Sequence, residues 1–165
     1  MAPNTIPIVF VVVNDPVGQG FISNLAHPGG NVTGFSFIEP EIVGKWVNLL
    51  VDVKPDLSRV ALMFNPDTAA YYEAYLHSFK AAAIQSRGGC SAVQSAADIE
   101  RGVAELARDQ HAGLIVASDI YMVAMRGVIL QSTEKHHVPL IAPYRQFAVR
   151  GRMSAFGSKA DIVWP

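Results

Sequence analysis

Residues 5–20 read TIPIVFVVVNDPVGQG, an apolar run that ends abruptly in a polar loop. The six residues from Ile8 to Val13 are strongly apolar and mostly β-branched, which predicts a strand covered on both faces, as parallel strands are in α/β proteins. The Asn14-Asp15-Pro16 stop follows at the carboxyl end of this strand, where α/β sheets bind their ligands. The stretch therefore predicts a parallel sheet with ligand chemistry at its strand ends.

Strand and helix patterns alternate along the rest of the chain. Strands are predicted at 31–37, 59–64, 90–94, 113–117, 138–142 and 152–156, and helices at 18–26, 40–53, 69–87, 98–109, 121–136 and 147–151. Strands that alternate with helices imply parallel strands joined by right-handed crossovers. The predicted fold class is therefore α/β, with a doubly wound and mostly parallel sheet.

Composition limits the classes of partner. A chain of 165 residues, half of them apolar, is one ordinary domain or one domain with a piece of another. The 13 Lys and Arg residues balance 14 Asp and Glu residues to a net charge of -1, with no run of like charge, so nucleic acid and anionic lipid are not expected partners. We expect a small molecule or another protein instead.

The sequence contains few signals for disulfides, metal binding or membrane targeting. Cys90 is the sole cysteine, so the chain has neither an intrachain disulfide nor a multi-cysteine metal site. Apolar runs stay below the roughly 18 to 20 residues that span a bilayer. The first residues, Met-Ala-Pro-Asn, lack the basic region of a secretory signal, so no signal peptide is expected in the chain as written.

Polar residues follow four of the predicted strands. The carboxyl ends of parallel strands lie along one edge, so these side chains are expected to converge on one ligand. Asn, Asp, Pro and Ser are also the usual residues of turns and helix N-caps, which is the competing interpretation of any single cluster. Recurrence at several strand ends favours a site. The candidate ligand-binding residues are Asn14, Asp15, Asn65, Asp67, Ser118, Asp119 and Tyr144.

Other chemistries are poorly supported by the sequence. Gly18-Gln-Gly20 lacks the third glycine and the later acidic residue of a dinucleotide fingerprint. His136 and His137 are adjacent at a helix end and point in different directions, which argues against a metal. Ser118 beside Asp119 offers a hydroxyl and a carboxylate, but no histidine falls on a strand end to complete a nucleophilic group. The sequence therefore predicts no cofactor, no metal and no catalytic residues, hence not an enzyme.

Several motifs point to a known family. They are Ile6-Pro-Ile-Val-Phe10, Asp15-Pro-Val-Gly18, Leu25-Ala-His-Pro-Gly-Gly-Asn-Val-Thr-Gly-Phe35, Gly44-Lys-Trp46, Phe64-Asn-Pro-Asp67, Gly113-Leu-Ile-Val116 and Met153-Ser154. Together they closely resemble the ABC-transporter substrate-binding protein family of the type I periplasmic-binding fold. The resemblance covers nearly the whole chain, and the run from Ile6 to Phe35 is quite specific.

The resemblance implies an architecture of two flavodoxin-like α/β lobes joined by hinge strands, with a small ligand in the cleft between them. Residues 1–37 would be a remnant of the first lobe with a hinge crossing, 38–157 the second lobe, and 158–165 a truncated second hinge crossing. Asn65, Asp119 and Tyr144 would face the cleft. The family protein would be periplasmic or lipid-anchored outside the cytoplasm.

The implied function is that of the solute-binding component of an ABC importer, partnered by the transporter permease. Some members are similar to aromatic amino-acid binders, so a small polar or amino-acid-like ligand is expected. Asp119 or Asp15 would hold an ammonium, Asn65 and helix N-terminal N–H groups a carboxylate, and Tyr144 would stack or hydrogen-bond.

The sequence leaves open two alternative functions, and it also suggests that the chain assembles with itself. The same fold serves ligand-sensing regulatory domains, although no DNA-binding or signalling segment accompanies it here, and an enzyme on a flavodoxin-like sheet is the third possibility. The strand at 8–13 lacks the partners that it has in the family, and exposed apolar edges invite pairing with another chain. We therefore expect a homodimer through the segment 1–37.

Overall fold

The computed structural model describes residues 6–36, 41–69, 71–83, 87–144 and 147, without the side chains of Val12 and Arg87. Strands and helices alternate along these residues, which confirms the α/β class. The elements are β1 (Ile8–Val13), β2 (Val32–Ser36), α1 (Ile42–Val53), β3 (Arg59–Phe64), α2 (Tyr72–Ala82), β4 (Arg87–Ala92), α3 (Ala96–Leu106), β5 (Ala112–Val116), α4 (Ile120–Ala124), α5 (Arg126–Lys135) and β6 (Leu140–Ile141).

The main sheet has four parallel strands in the order β4-β3-β5-β6. β3 and β5 are neighbours at its centre, while the chain between them runs out to the edge strand β4 and returns. The order of the strands therefore reverses at β3 and β5. In open α/β sheets, ligands bind beyond the carboxyl ends of the strands at such a switch point.

Helices cover both faces of the main sheet. Along β3, Val60, Leu62 and Phe64 pack into one core with side chains of α1 and α2. Ala61 and Met63 point the other way, into a second core with side chains of α3 and α5. This two-sided burial explains why the strand is a continuous apolar run rather than an alternating one.

The first two strands form a separate parallel sheet. β1 pairs with β2 so that Val9 faces Thr33 and Val11 faces Phe35. Val9 and Val11 are 61% and 66% exposed, and Phe35 is 74% exposed. The prediction that Ile8 to Val13 is covered on both faces is therefore wrong for the described residues, because no described element lies over this face of the two-stranded sheet.

The predicted helix at 18–26 is also wrong. The segment is a series of turns and bends in which Gly20 has a φ of 74°. The Gln19 N–H donates to the Asp15 carbonyl and the Phe21 N–H to the Pro16 carbonyl, both at 3.0 Å, and the bonds do not propagate into a helix. Two glycines in the segment make a helix costly, and the apolar spacing alone did not outweigh that cost.

Strand β4 begins three residues before its predicted start at Cys90. The glycines at 88 and 89, predicted to end the preceding helix, lie inside the strand and pair with Val60 and Ala61 of β3. A Cβ at Gly88 would lie 2.9 Å from the Ala83 Cβ, so this strand passes too close to the end of α2 for a side chain.

The remaining predicted elements differ mainly in their ends. The helix predicted at 121–136 is two helices, α4 and α5, that meet at Met125. The helix predicted from Asp98 begins at Ala96, because Ser95 caps it by accepting the Asp98 N–H at 3.1 Å. The predicted strand at 152–156 and all but Phe147 of the predicted helix at 147–151 lie outside the described residues.

Candidate functional site

Polar side chains gather where β1, β3, β5 and β6 end, at the edge that contains the switch point of the main sheet. We call this group the strand-end cluster. Three hydrogen-bonded units build it: one centred on Ser118, one on Asp119 and one on Asn65. Its members are Asn14, Asn65, Thr68, Tyr71, Ser118, Asp119 and Tyr144.

Ser118 is the centre of the cluster and is fully buried. Its backbone carbonyl accepts a hydrogen bond from the Asn14 Nδ2 at 3.2 Å and another from the Tyr71 hydroxyl. Its own hydroxyl lies 2.9 Å from the Tyr144 hydroxyl. One serine thereby connects the end of β1, the start of α2 and the end of β6.

Asp119 joins two loops of the main sheet. Its side chain is only 3% exposed. One carboxylate oxygen accepts the Tyr121 N–H at 3.0 Å and caps α4, while the other accepts the Thr68 hydroxyl at 2.9 Å across 51 residues of sequence. Because a carboxylate has about four lone-pair sites, both oxygens keep capacity for a further donor.

Asn65 and Asp67 shape the loop after β3. The Asn65 Oδ1 accepts the N–H groups of Asp67 at 2.8 Å and Thr68 at 3.2 Å, a turn that this residue type commonly forms. Asp67 is exposed and accepts a hydrogen bond from the Gln94 side chain at 2.8 Å. Both residues therefore have local structural partners, and their contact with a ligand stays a prediction.

Asp15 sits apart from the strand-end cluster. Its backbone has a positive φ of 47°, and its carboxylate accepts the Gly18 N–H at 2.9 Å. It lines a separate cavity of about 360 Å³ between the loop after β1 and helix α2, together with Leu25, Glu41 and His77. The structure thus brings Asn14, Ser118, Asp119 and Tyr144 together, with Asn65 beside them, and leaves Asp15 and Asp67 at the margins.

The two tyrosines of the cluster are held in the neutral form. Burial raises the pKa of Tyr71, and the nearby charge of Asp119 raises it further, against a smaller lowering by Asn14. Burial likewise raises the pKa of Tyr144, a hydrogen bond with Ser118 lowers it, and Asp119 raises it. Both phenols therefore remain hydrogen-bond donors well above neutral pH.

One acceptor in the cluster is unused. The Asn14 Oδ1 is buried and has no hydrogen-bond partner among the described residues. A buried carbonyl oxygen without a donor costs free energy, and such atoms are rare in folded proteins. The cluster therefore contains one buried acceptor without a donor, beside two neutral hydroxyls.

Sequence reasoning missed Thr68 and Tyr71. Thr68 follows Asn65 and Asp67 in the same loop after β3, so its position at a strand end is a signal that the sequence contains. Tyr71 was included in the predicted helix at 69–87, and nothing in its spacing separates it from the core tyrosine Tyr75. Only the approach of two loops, 47 residues apart, brings its hydroxyl to Ser118.

The described residues contain neither a cluster of metal ligands nor a membrane-spanning helix. No group of three or more His, Cys, Asp or Glu side chains in this part of the chain is arranged to hold a metal ion. None of the described helices combines the length and apolar character needed to cross a bilayer.

Comparisons with known proteins identify relatives that bind transported substrates or amino acids. In a scan of protein families, the model described as ABC transporter substrate binding protein matches residues 1–161. A curated tyrosine-binding protein of Clostridioides difficile (strain R20291) is 33% identical over 64 residues, which are 39% of this chain and 18% of that protein.

Solved structures share the fold. A structure described as an ABC domain in complex with L-Trp, from Streptococcus pneumonia, superposes with a TM-score of 0.77 at 21% identity, over 93% of this chain and 52% of that one. A conserved domain protein of Vibrio cholerae gives 0.75 at 25% identity, over 93% and 51%. The chain thus spans about half the length of these solved structures. Because the family model matches nearly all of its residues, the chain belongs to the ABC transporter substrate-binding protein family.

Proposed function

We propose that this chain is part of the solute-binding component of an ABC importer and that the strand-end cluster borders its ligand cleft. The observation that carries the proposal is the convergence of Asn14, Tyr71 and Tyr144 on the buried Ser118 at the switch point of the sheet. These groups are neutral hydrogen-bonding side chains around one buried acceptor that has no donor, and they do not place a nucleophile beside a base. Such a surface suits binding without chemistry.

The proposed ligand is a small polar or amino-acid-like molecule, and aromatic amino acids are the leading candidates. Relatives described as tyrosine-binding and as a complex with L-Trp support this choice. Asp119 is the proposed partner of the ligand ammonium, with Asp15 as the second candidate. Asn65 and the N–H groups at helix N-termini are proposed for the ligand carboxylate, and Tyr144 for stacking or hydrogen bonding. Asp67 carries the same charge as that carboxylate, so we place it at the rim of the proposed cleft without a direct contact.

The proposed cellular setting follows from the family. ABC substrate-binding proteins are typically extracytoplasmic, and we propose the same location for this protein, with the transporter permease as its partner. A cleft ligand gains affinity from both lobes, so half of the family's length should bind it more weakly than a complete two-lobed protein.

The proposed function is tested by titrating the ¹⁵N-labelled chain with L-tyrosine and L-tryptophan and following the amide signals by NMR, which detects millimolar binding. Saturable shifts should concentrate at Ser118, Asp119 and the start of α2. 3-Indolepropionate, which lacks the ammonium, and glucose serve as control probes and should bind more weakly or not at all. Absence of saturable shifts with every amino acid would count against the proposal.

We also propose that the chain, on its own, forms a homodimer through the segment 1–37. The two-stranded sheet carries no charged residue in Ile8–Val13 or Val32–Ser36, so nothing on these strands opposes edge pairing with a second copy. One face exposes Val9, Val11 and Phe35. A two-stranded sheet is marginally stable in water, and pairing with a second copy would add a third and a fourth strand to the two that the described residues form.

Sedimentation at tens of micromolar should show a dimer for the wild-type chain and a monomer for Val11→Lys, because a lysine on an edge strand disfavours pairing with the strand of another chain. Ile120→Lys changes an equally exposed residue on α4, far from this sheet in sequence, and should leave the dimer intact. A wild-type monomer at these concentrations would contradict the proposed assembly.

A further inference from the structure

We propose that Thr68 is a positioning residue of the strand-end cluster, whose hydroxyl holds the Asp119 carboxylate in place between the two loops that carry Tyr71 and Ser118. The inference deepens the proposed function, on which its ligand-binding consequence rests. The hydrogen bond from Thr68 to Asp119 is present in the protein without ligand, so this contact can be tested without one.

The backbone of Thr68 is fixed before its side chain acts. The Thr68 N–H donates to the Asn65 Oδ1 at 3.2 Å, within a turn that begins directly after β3. This turn directs the Thr68 hydroxyl to the Asp119 Oδ2 at 2.9 Å. The bond therefore ties the loop after β3 to the loop after β5, on the two strands that meet at the switch point.

The other carboxylate oxygen of Asp119 is held from its own side of the sheet. The Oδ1 accepts the Tyr121 N–H at 3.0 Å, a bond that caps the start of α4 and fixes only one of the two oxygens. The Thr68 hydroxyl supplies the second attachment. With both bonds present, each oxygen of a side chain that is 3% exposed has a hydrogen-bond donor that fixes its position.

That position matters for both tyrosines. The negative charge of Asp119 contributes to the raised pKa of Tyr71 and of Tyr144, although burial is the larger cause for each. A carboxylate released from Thr68 and turned toward water would interact less with the phenols. The hydrogen bond from Thr68 to Asp119 thus helps to keep the hydroxyls of Tyr71 and Tyr144 protonated and in place around Ser118.

The matched set of variants is Thr68→Val, Thr68→Ser and Asp119→Asn. Valine removes the hydroxyl at nearly constant shape, serine retains it, and asparagine keeps the side-chain oxygen that caps α4 while removing the charge. Thr68 is exposed, so none of its variants leaves a buried cavity. Circular dichroism confirms that each variant is folded under the conditions used.

The first readout needs no ligand. With ¹³Cζ-labelled tyrosine, NMR reports the ionisation of each phenol at about pH 11, one unit above the ordinary tyrosine value. The Tyr71 phenol should be less ionised in the wild type and in Thr68→Ser than in Asp119→Asn, with Thr68→Val between them, and the ionisation of Tyr144 should change in the same direction. If Thr68→Val matches the wild type while Asp119→Asn ionises, Thr68 is only a turn residue and the inference is overturned.

The second readout is the affinity for L-tyrosine. Thr68→Val should weaken it about 3- to 10-fold, the size of effect that one ordinary hydrogen bond has, because Thr68 acts on the ligand only through the Asp119 carboxylate, and Thr68→Ser should restore it. Failure of the wild-type chain to bind L-tyrosine or L-tryptophan would remove the proposed function but leave the phenol result to decide the role of Thr68. Unchanged affinity in Thr68→Val, in a wild type that binds, would overturn the positioning role.

Discussion

Replacing Phe79 with alanine should lower the free energy of unfolding by about 3–5 kcal/mol, the range found for large aromatic truncations in cores. The Phe79 side chain is fully buried on the inner face of α2, in the core that this helix shares with α1 and β3. Its ring lies against the glycine at 88 of β4, where an added Cβ would be 3.2 Å from the Phe79 Cε1. Removing the ring therefore opens a cavity between the helix and two strands.

Urea denaturation followed by circular dichroism measures this change, and Phe21→Ala provides the matched control. Phe21 is 52% exposed in the loop after β1, so the same truncation should change the free energy of unfolding by less than about 1 kcal/mol. The two values should differ several-fold. A loss below 1 kcal/mol for Phe79→Ala would show that α2 does not pack on the sheet as described.

The parts of the fold that could be predicted are those where burial dictates the sequence. β3 and β5 lie between two helical layers, so their residues are apolar on both sides, and their predicted bounds of 59–64 and 113–117 fall within a residue of the observed ones. The parts that could not be predicted depend on backbone approach. The glycines of β4 indicate a helix stop in sequence, and only the packing of Ala83 against Gly88 explains their place in a strand.

β1 shows the opposite limit of sequence reasoning. Its apolar run correctly predicted a strand, and its pairing with the predicted strand at 31–37 is parallel. The same run predicted burial that the described chain does not provide, since Val9 and Val11 are largely exposed. An apolar strand sequence predicts that the strand is buried, but it does not identify the element or the chain that covers it.

The candidate site divides along similar lines. Parallel topology places Ser118, Asp119 and Tyr144 at one edge of the main sheet, so the sequence is enough to select them. Asn14 follows a strand of the separate sheet, and its hydrogen bond to the Ser118 carbonyl brings it to the same place. Tyr71 and Thr68 could not be selected from the sequence, because their roles depend on how closely the loop after β3 approaches the loop after β5. Hydrogen bonds across 47 and 51 residues of sequence carry that information, and local patterns do not.

Replacing Asp119 with alanine should weaken the binding of L-tyrosine or L-tryptophan by about 30-fold or more, because truncating one member of a buried charge pair costs roughly 2–5 kcal/mol. Three contacts are lost together in the proposed complex: the ligand ammonium, the Thr68 hydroxyl and the cap of α4. The cap alone should lower the free energy of unfolding by about 1 kcal/mol. Asp119→Asn retains the cap and separates this structural loss from the loss of charge.

The measurement is the NMR titration of each ¹⁵N-labelled variant with L-tyrosine and L-tryptophan, and Asp67→Ala is the matched control. Asp67 is an exposed carboxylate on the adjacent loop, paired with Gln94, and its removal should change affinity by less than about threefold. Any weak binding of 3-indolepropionate should be unaffected or strengthened by Asp119→Asn, because that probe carries no ammonium to pair with the carboxylate. If Asp119→Asn and Asp119→Ala both bind the amino acids as the wild type does, the ammonium is held elsewhere, and Asp15 becomes the carboxylate to test.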